Sequence, residues 1–143
     1  MNTSIQRSSA TPYGASTTTS PAGKVSAGKA QFRKDLTAIV AAHRIPYVAQ
    51  ATISHWNDLI TKSQKAFSVE GPAFLNVLSM CHLGWRYPQE DTVKIAQLAV
   101  ETGYWPLIEV ENGIWRFTYK PKQRKPIDEF LKTQGRFKHL YKE

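Results

Sequence analysis

The sequence predicts an α/β protein: a parallel-sheet layered domain that ends in a β-hairpin and a basic arm. Three observations lead there. Apolar segments of strand length alternate with segments of helical period, the order expected when helices cover a parallel sheet. The run 73–78 (Ala-Phe-Leu-Asn-Val-Leu) is nearly continuous apolar, as in strands buried on both faces. Asn112-Gly113 sits between two further extended runs and marks a tight hairpin turn.

Residues 1–30 are rich in Ser, Thr, Gly, Ala and Pro and follow neither the helical nor the strand period. By composition alone they read as a flexible leader. Asp35 is placed to cap a short helix carrying Leu36, Ile39 and Val40, with His43 near its end. Pro46 stops that helix and opens an extended run, 47–51. Ser54 is placed to cap the next helix, with Trp56, Leu59, Ile60 and Phe67 mostly on one face and Lys62 and Lys65 outside. Gly71-Pro72 ends that unit, and the strand 73–78 follows.

A loop, 79–88, leads to a strong helix over 91–102, with Gly103 as its terminating residue. Residues 107–110 form the next strand. The return strand of the hairpin alternates Trp115, Phe117 and Tyr119 with Ile114, Arg116 and Thr118. Pro121 to Pro126 is a basic linker, Pro126 is suited to the first position of a short helix over 127–132, and 135–143 reads as an arm. In domain terms this gives 1–30, 31–111 and 112–143.

The chain has 143 residues and 41% hydrophobic content, enough for one modest core and against wholesale disorder. No apolar run approaches the ~18 residues of a membrane span, and the N-terminus has no apolar signal core, so the expected location is cytoplasmic. Net charge is +8, with much of the excess between Lys120 and Lys142. Such a run is more often a solvated tail or a dock for an acidic partner than a nucleic-acid site, and nucleic acid is not the expected ligand.

Familiar phosphate-binding glycine loops, zinc-protease helices and nucleophile elbows are all missing from the sequence. His55 and His139 read as surface residues, and Glu101, Glu109 and Glu111 as solvated or paired with nearby cations. The one cysteine, Cys81, is either a small buried apolar residue or one ligand of a site completed by another chain. It follows the carboxyl end of a strand, where open α/β sheets place their ligands.

Three segments carry a resemblance. The first is Asn2-Thr3-Ser4-Ile5-Gln6-Arg7-Ser8 with Thr11-Pro12-Tyr13-Gly14-Ala15 and Thr17-Thr18-Thr19-Ser20-Pro21. The second is Lys34-Asp35-Leu36-Thr37-Ala38-Ile39 with Ile45-Pro46-Tyr47-Val48-Ala49. The third is Gly71-Pro72-Ala73-Phe74, Leu78-Ser79-Met80-Cys81-His82-Leu83-Gly84-Trp85-Arg86-Tyr87-Pro88, Leu98-Ala99-Val100-Glu101-Thr102-Gly103, Pro106-Leu107 and Glu109-Val110-Glu111-Asn112-Gly113. In this order they resemble the C-terminal half of the thiamine diphosphate-binding β subunit of 2-oxoacid:ferredoxin oxidoreductases of the pyruvate synthase type.

The resemblance implies an enzyme subunit that helps to decarboxylate a 2-oxoacid oxidatively to acyl-CoA and CO2. It implies thiamine diphosphate, Mg²⁺ and a [4Fe–4S] cluster as cofactors. The implied partners are the α, γ and δ subunits, ferredoxin, and the 2-oxoacid and coenzyme A as substrates. Asn2 matches the asparagine of the family's Asn-Thr-Gly segment beside the thiamine; Thr3 and Gln6 continue that loop. Cys81 matches the last of four cysteines that hold the cluster. Where the family has glycine after Asn-Thr this chain has Ser4, and where it has proline on both sides of the cysteine this chain has Met80 and His82. The family's Mg²⁺ ligands and other three cysteines lie upstream of the matched stretch. Met1 falls inside the cofactor motif, which implies a shortened reading frame or an internal start, and an isolated chain that is inactive. The alternative is a non-catalytic binding module that reuses the fold and docks an acidic partner through its basic tail.

Overall fold

Tyr47–Thr52 forms the first strand, β1, and every one of its six residues is buried. Preceding it, Leu36–Ala41 forms helix α1, opened by Asp35, whose carboxylate accepts from Ala38 N–H at 3.0 Å. The helix that follows β1 is α2, Trp56–Ser68, and it leads into β2, Ala73–Leu78. The computed structural model describes residues 11–141. Its remaining elements are α3 (His82–Trp85), a 3-10 turn at Gln89–Asp91, α4 (Thr92–Glu101), β3 (Leu107–Glu111), β4 (Ile114–Tyr119), α5 (Ile127–Leu131) and a 3-10 segment at Gly135–Tyr141.

The chain divides into two compact units. One comprises 35–79 and 93–127; the other comprises the residues up to 34, 80–92 and 128 onward.

The first unit is an α/β layer built on a four-stranded sheet of order β2-β1-β3-β4. β1 and β2 are parallel, with Tyr47 opposite Ala73, and α2 makes the crossover between them. β3 runs antiparallel to β1, and β4 antiparallel to β3. The sheet is therefore mixed, with one parallel pair, rather than parallel throughout. Alternation predicts layering, but the connection from β2 to β3 is long enough to return the chain in either direction.

The hairpin turn is as expected. Asn112 and Gly113 both adopt positive φ, 51° and 82°, the left-handed pair that a two-residue turn needs. β2 departs from expectation, because among the described residues it is an edge strand with one neighbour and its apolar side chains are only partly covered. Composition reports a strand's apolar faces and not the number of its partners.

The two sheet faces are organised by polar contacts. On one face Thr37 of α1 donates its hydroxyl to Gln50 Oε1 at 2.7 Å and accepts from Asn76 Nδ2 at 3.0 Å. On the other, α2 packs with its charged residues inward. Lys62, 1% exposed, donates to Asp58 Oδ2 at 2.6 Å, to Gln50 O at 2.8 Å and to Thr118 Oγ1 at 2.8 Å. Lys65 donates to both oxygens of Glu109 at 2.8 and 2.9 Å, and Tyr47 O–H donates to the same carboxylate at 3.0 Å. The expectation that Lys62 lies outside is overturned, while Lys65 keeps a partly exposed side chain whose Nζ reaches Glu109. The carboxylates on β3 supply the attraction that turns this face in, and periodicity read on α2 alone cannot see them. Nor does Ser54 cap α2: His55 takes that position without a side-chain cap, and Ser54 Oγ lies 3.0 Å from His55 Nδ1.

In the second unit, residues 11–30 are not a leader. Gly14 N–H donates to Lys29 O and Lys29 N–H to Ala15 O, closing a loop on buried Thr11, Ala15 and Thr17. The expected arm at 135–143 is, through Tyr141, a 3-10 segment whose Arg136 and Phe137 are buried. The basic residue is drawn in because its guanidinium stacks 3.9 Å from the Trp85 ring centre.

Candidate functional site

Cys81 opens α3. Its φ and ψ of −102° and 96° put it just outside the helix, and its Sγ accepts from Gly84 N–H at 3.3 Å. Its carbonyl accepts from Trp85 N–H at 2.9 Å. The thiol is thus the cap of a one-turn helix. It is half-buried, not sealed in an apolar interior. His82 packs its ring edge-on to Tyr87 at 6.5 Å.

The loop rests on a layer of buried aromatics. Trp85 is edge-on to Phe130 at 6.3 Å and to Tyr87 at 6.4 Å, with Arg136 over its face. Arg136 Nε donates to Gln134 Oε1 at 2.8 Å, and Gln134 Nε2 in turn donates to Phe130 O at 2.8 Å. Trp85 Nε1, also buried, has no hydrogen-bond partner among the described residues. Burial pushes the Tyr87 hydroxyl above its ordinary pKa, and negative charge on Cys81 acts in the same direction.

Arg86 ends α3 in the left-handed region at φ 60°, with its N–H on His82 O. Its carbonyl accepts from Gly135 N–H at 3.0 Å. A Cβ at residue 135 would lie 2.8 Å from Arg86 Cβ, so glycine is required there for the two backbones to meet. Gly135 therefore fixes where the Cys81 loop turns back. Nothing in the sequence around Gly135 distinguishes it from a linker glycine, so the sequence alone makes it the start of an arm.

Close by, a cavity of about 280 Å³ is lined by Lys132, Gln134, Gly135, Lys138 and Tyr141. Lys132 Nζ lies 5.1 Å from the centre of the Tyr141 ring, and Tyr141 O–H donates to Asp128 at 3.0 Å. In the sequence its two lysines merge into the general basic run.

Among the described residues no three His, Cys, Asp or Glu side chains come together as a metal site. Four thiolates would be needed to hold a [4Fe–4S] cluster, and Cys81 is the chain's one cysteine. The residues fit a single ligand and not a complete site. Asn2, Thr3 and Gln6 lie outside the described residues. The other titratable residues considered from the sequence serve structure. Glu101 pairs with Lys125 at 2.7 Å, Glu109 with Lys65, and Glu111 with Arg116. His139 Nε2 lies 3.1 Å from Ala27 O. His55 packs its ring 4.7 Å from Tyr119, and burial lowers its pKa against the pull of Asp58. No helix among the described residues is long and apolar enough to cross a membrane.

Comparison with known proteins places this geometry in a wider setting. The chain is 57% identical over 140 residues to pyruvate synthase subunit PorB of Methanocaldococcus jannaschii, a match covering 98% of this chain and 47% of that protein. It is 52% identical to pyruvate synthase subunit PorB of Thermotoga maritima, covering 98% of this chain and 43% of that one. It is 48% identical to ketoisovalerate oxidoreductase subunit VorB of Pyrococcus abyssi, over 100% of this chain and 47% of the relative. The chain spans about half the length of the curated relatives it matches. No protein-family model matches it. The resemblance drawn from its three segments thus extends along the whole chain.

Proposed function

We propose that this chain acts as the C-terminal part of a β subunit in a 2-oxoacid:ferredoxin oxidoreductase of the pyruvate synthase type. That enzyme decarboxylates a 2-oxoacid oxidatively, releases CO2, forms acyl-CoA and passes electrons to ferredoxin. Thiamine diphosphate with Mg²⁺ and a [4Fe–4S] cluster would supply the carbanion and electron-transfer chemistry when bound. The α, γ and δ subunits complete the assembly.

The observation that carries this reading is the extent of the match. Identity of 48–57% persists across 98–100% of the chain and includes relatives named for two different 2-oxoacids. The geometry of Cys81 is compatible with it. This chain's contribution is one thiolate on a short, well-supported turn. The Gly84 N–H that reaches Sγ is the kind of contact that sets cluster potentials. Trp85 and Arg136 hold the turn from below, so the sulfur keeps its position while remaining within reach of a second polypeptide. Asn2, Thr3 and Gln6 would border the thiamine.

The alternative of a non-catalytic module docking through its basic tail has less support. Arg136 is spent on Trp85 and Lys125 on Glu101. No nucleic acid or membrane is part of the proposal.

The test is reconstitution. The chain, co-expressed with the remaining half of the PorB relative and the partner subunits, is expected to yield a complex with iron–sulfur absorbance and 2-oxoacid-dependent ferredoxin reduction. Cys81→Ala should remove the β-subunit cluster signal while the complex still assembles. Full cluster occupancy in Cys81→Ala, or a wild-type complex with no activity, overturns the reading.

A further inference from the structure

Helix α2 is inside out. Its charged residues, Asp58, Lys62 and Lys65, are bonded together or to the sheet on the inward side. Its outward side holds Trp56, Ile60 and Phe67, exposed by 62%, 47% and 92%. These recur at intervals of four and seven residues, so they form one stripe along the helix. Between them the exposed residues are uncharged: Asn57, Thr61, Gln64 and Ser68. A solvated helix face of a small protein ordinarily carries Lys and Glu, and large apolar side chains are informative when they cluster.

We infer that the outward face of α2 is a protein–protein interface, and that its occupant is the half of the β subunit that this chain does not span. The inference rests on the proposed function above. The chemistry of the face selects a polypeptide. Protein interfaces are depleted of charge at their centres and enriched in aromatic residues. A membrane-seating helix presents Lys or Arg beside its apolar stripe, and a nucleic-acid surface presents cations; here Lys62 is buried on Asp58 and Lys65 is engaged by Glu109.

Two further observations select this particular polypeptide. The relatives are about twice the length of this chain while matching nearly all of it, so each carries a comparable length of protein beside the matched region. In addition, α2 packs over β1 and β2, and β2 is a sheet edge whose apolar side chains are partly uncovered. Its sequence, Ala-Phe-Leu-Asn-Val-Leu, lacks the charges, prolines and bulges that protect a natural edge. β4, at the other edge, has Arg116 and a register irregularity opposite Leu107 and Ile108. α2 packs on β2 itself as well as on β1, so its exposed face adjoins the undefended edge, while its lysines reach across to β3 and β4.

The experiment co-expresses this chain with the remaining half of the Methanocaldococcus jannaschii relative and measures capture and oxidative footprinting. Wild-type chain should co-purify, with Trp56 and Phe67 labelled more slowly than in the chain alone. The double variant Ile60→Glu, Phe67→Glu should lose capture at least about tenfold, as expected for centrally placed interface residues. Val25→Glu, at a fully exposed position outside α2, should leave capture unchanged. Val25→Glu should keep the wild-type urea midpoint when measured alone, and a Phe67→Glu single variant, at a side chain 92% exposed, should do the same while still weakening capture. Failure to co-purify, unchanged labelling, or capture indifferent to the double variant overturns the inference. Concentration-dependent protection in the chain alone also overturns it, since a second copy would then cover the face. Capture through α2 without iron–sulfur absorbance defeats the proposed function and leaves this inference standing. Reconstituted activity that is insensitive to the double variant does the reverse.

Discussion

At the residue scale, the carboxylate of Glu109 decides how the sheet and α2 meet. Burial pushes its pKa up, but the hydrogen bonds from Lys65 and Tyr47, with help from Arg116, outweigh burial and hold it below the ordinary value of 4.5. A carboxylate with a lowered folded-state pKa contributes stability that is complete above its unfolded value and is lost as pH falls through the folded value. Glu101 is lowered in the same way, chiefly by Lys125, against its burial. The chain should therefore lose stability as pH falls from ~5 toward 3, because the unfolded state then takes up protons that the folded state resists. Glu109→Gln should cost about 2 kcal/mol at neutral pH, the scale of a buried charge-assisted bond, and the gap from wild type should narrow in acid. Urea midpoints measured across that pH range check both; a gap that stays constant would show that Glu109 does not titrate as described.

At the element scale, two glycines separate backbone need from packing need. Gly113 has φ 82° and open space around the position of a Cβ, so Gly113→Ala should cost only the left-handed penalty, about 1 kcal/mol. Gly135 has no such φ, but a Cβ there meets Arg86 Cβ at 2.8 Å and Arg86 O at 3.0 Å. Gly135→Ala should cost about 2 kcal/mol and displace the turn that presents Cys81. Urea denaturation gives the first quantity, and the rate of Cys81 modification by a thiol reagent gives the second. An unchanged rate in Gly135→Ala would mean that the loop is held elsewhere.

The difference between these glycines also shows what could be read in advance. The Asn112-Gly113 turn, the Asp35 cap and the strand at β1 depend on local chemistry, and each was legible. The packing of Gly135 on Arg86 joins residues 49 positions apart, and the burial of Arg136 needs Trp85, so neither leaves a local signal. The strand that ends just before Cys81 was legible from its apolar run, but the one-turn helix within the expected loop 79–88 was not. The aromatic layer that supports it was not, because Trp85, Phe130 and Arg136 share no spacing.

For the whole molecule, α2 carries the same lesson further. The period of α2 defines two faces, but Glu109, 44 residues beyond Lys65, helps draw the lysine side toward the sheet. The chain spans about half the length of the curated relatives it matches, and the inferred interface on α2 would give its exposed apolar stripe a covering surface there. The same reasoning governs cofactor affinity. A diphosphate needs concentrated positive charge, most economically a metal ion held by carboxylates, and the described residues assemble no such group. The net charge of +8 supplies only diffuse attraction, which salt screens. Calorimetry of the isolated chain with thiamine diphosphate should therefore give a Kd in the millimolar range or weaker, indifferent to Mg²⁺ and fading as ionic strength rises. With the remaining half of the relative present, binding should strengthen and become Mg²⁺-dependent. Micromolar, Mg²⁺-dependent binding by the isolated chain would mean that residues 1–143 already contain a cofactor site, and the division of labour proposed between the two halves would be wrong.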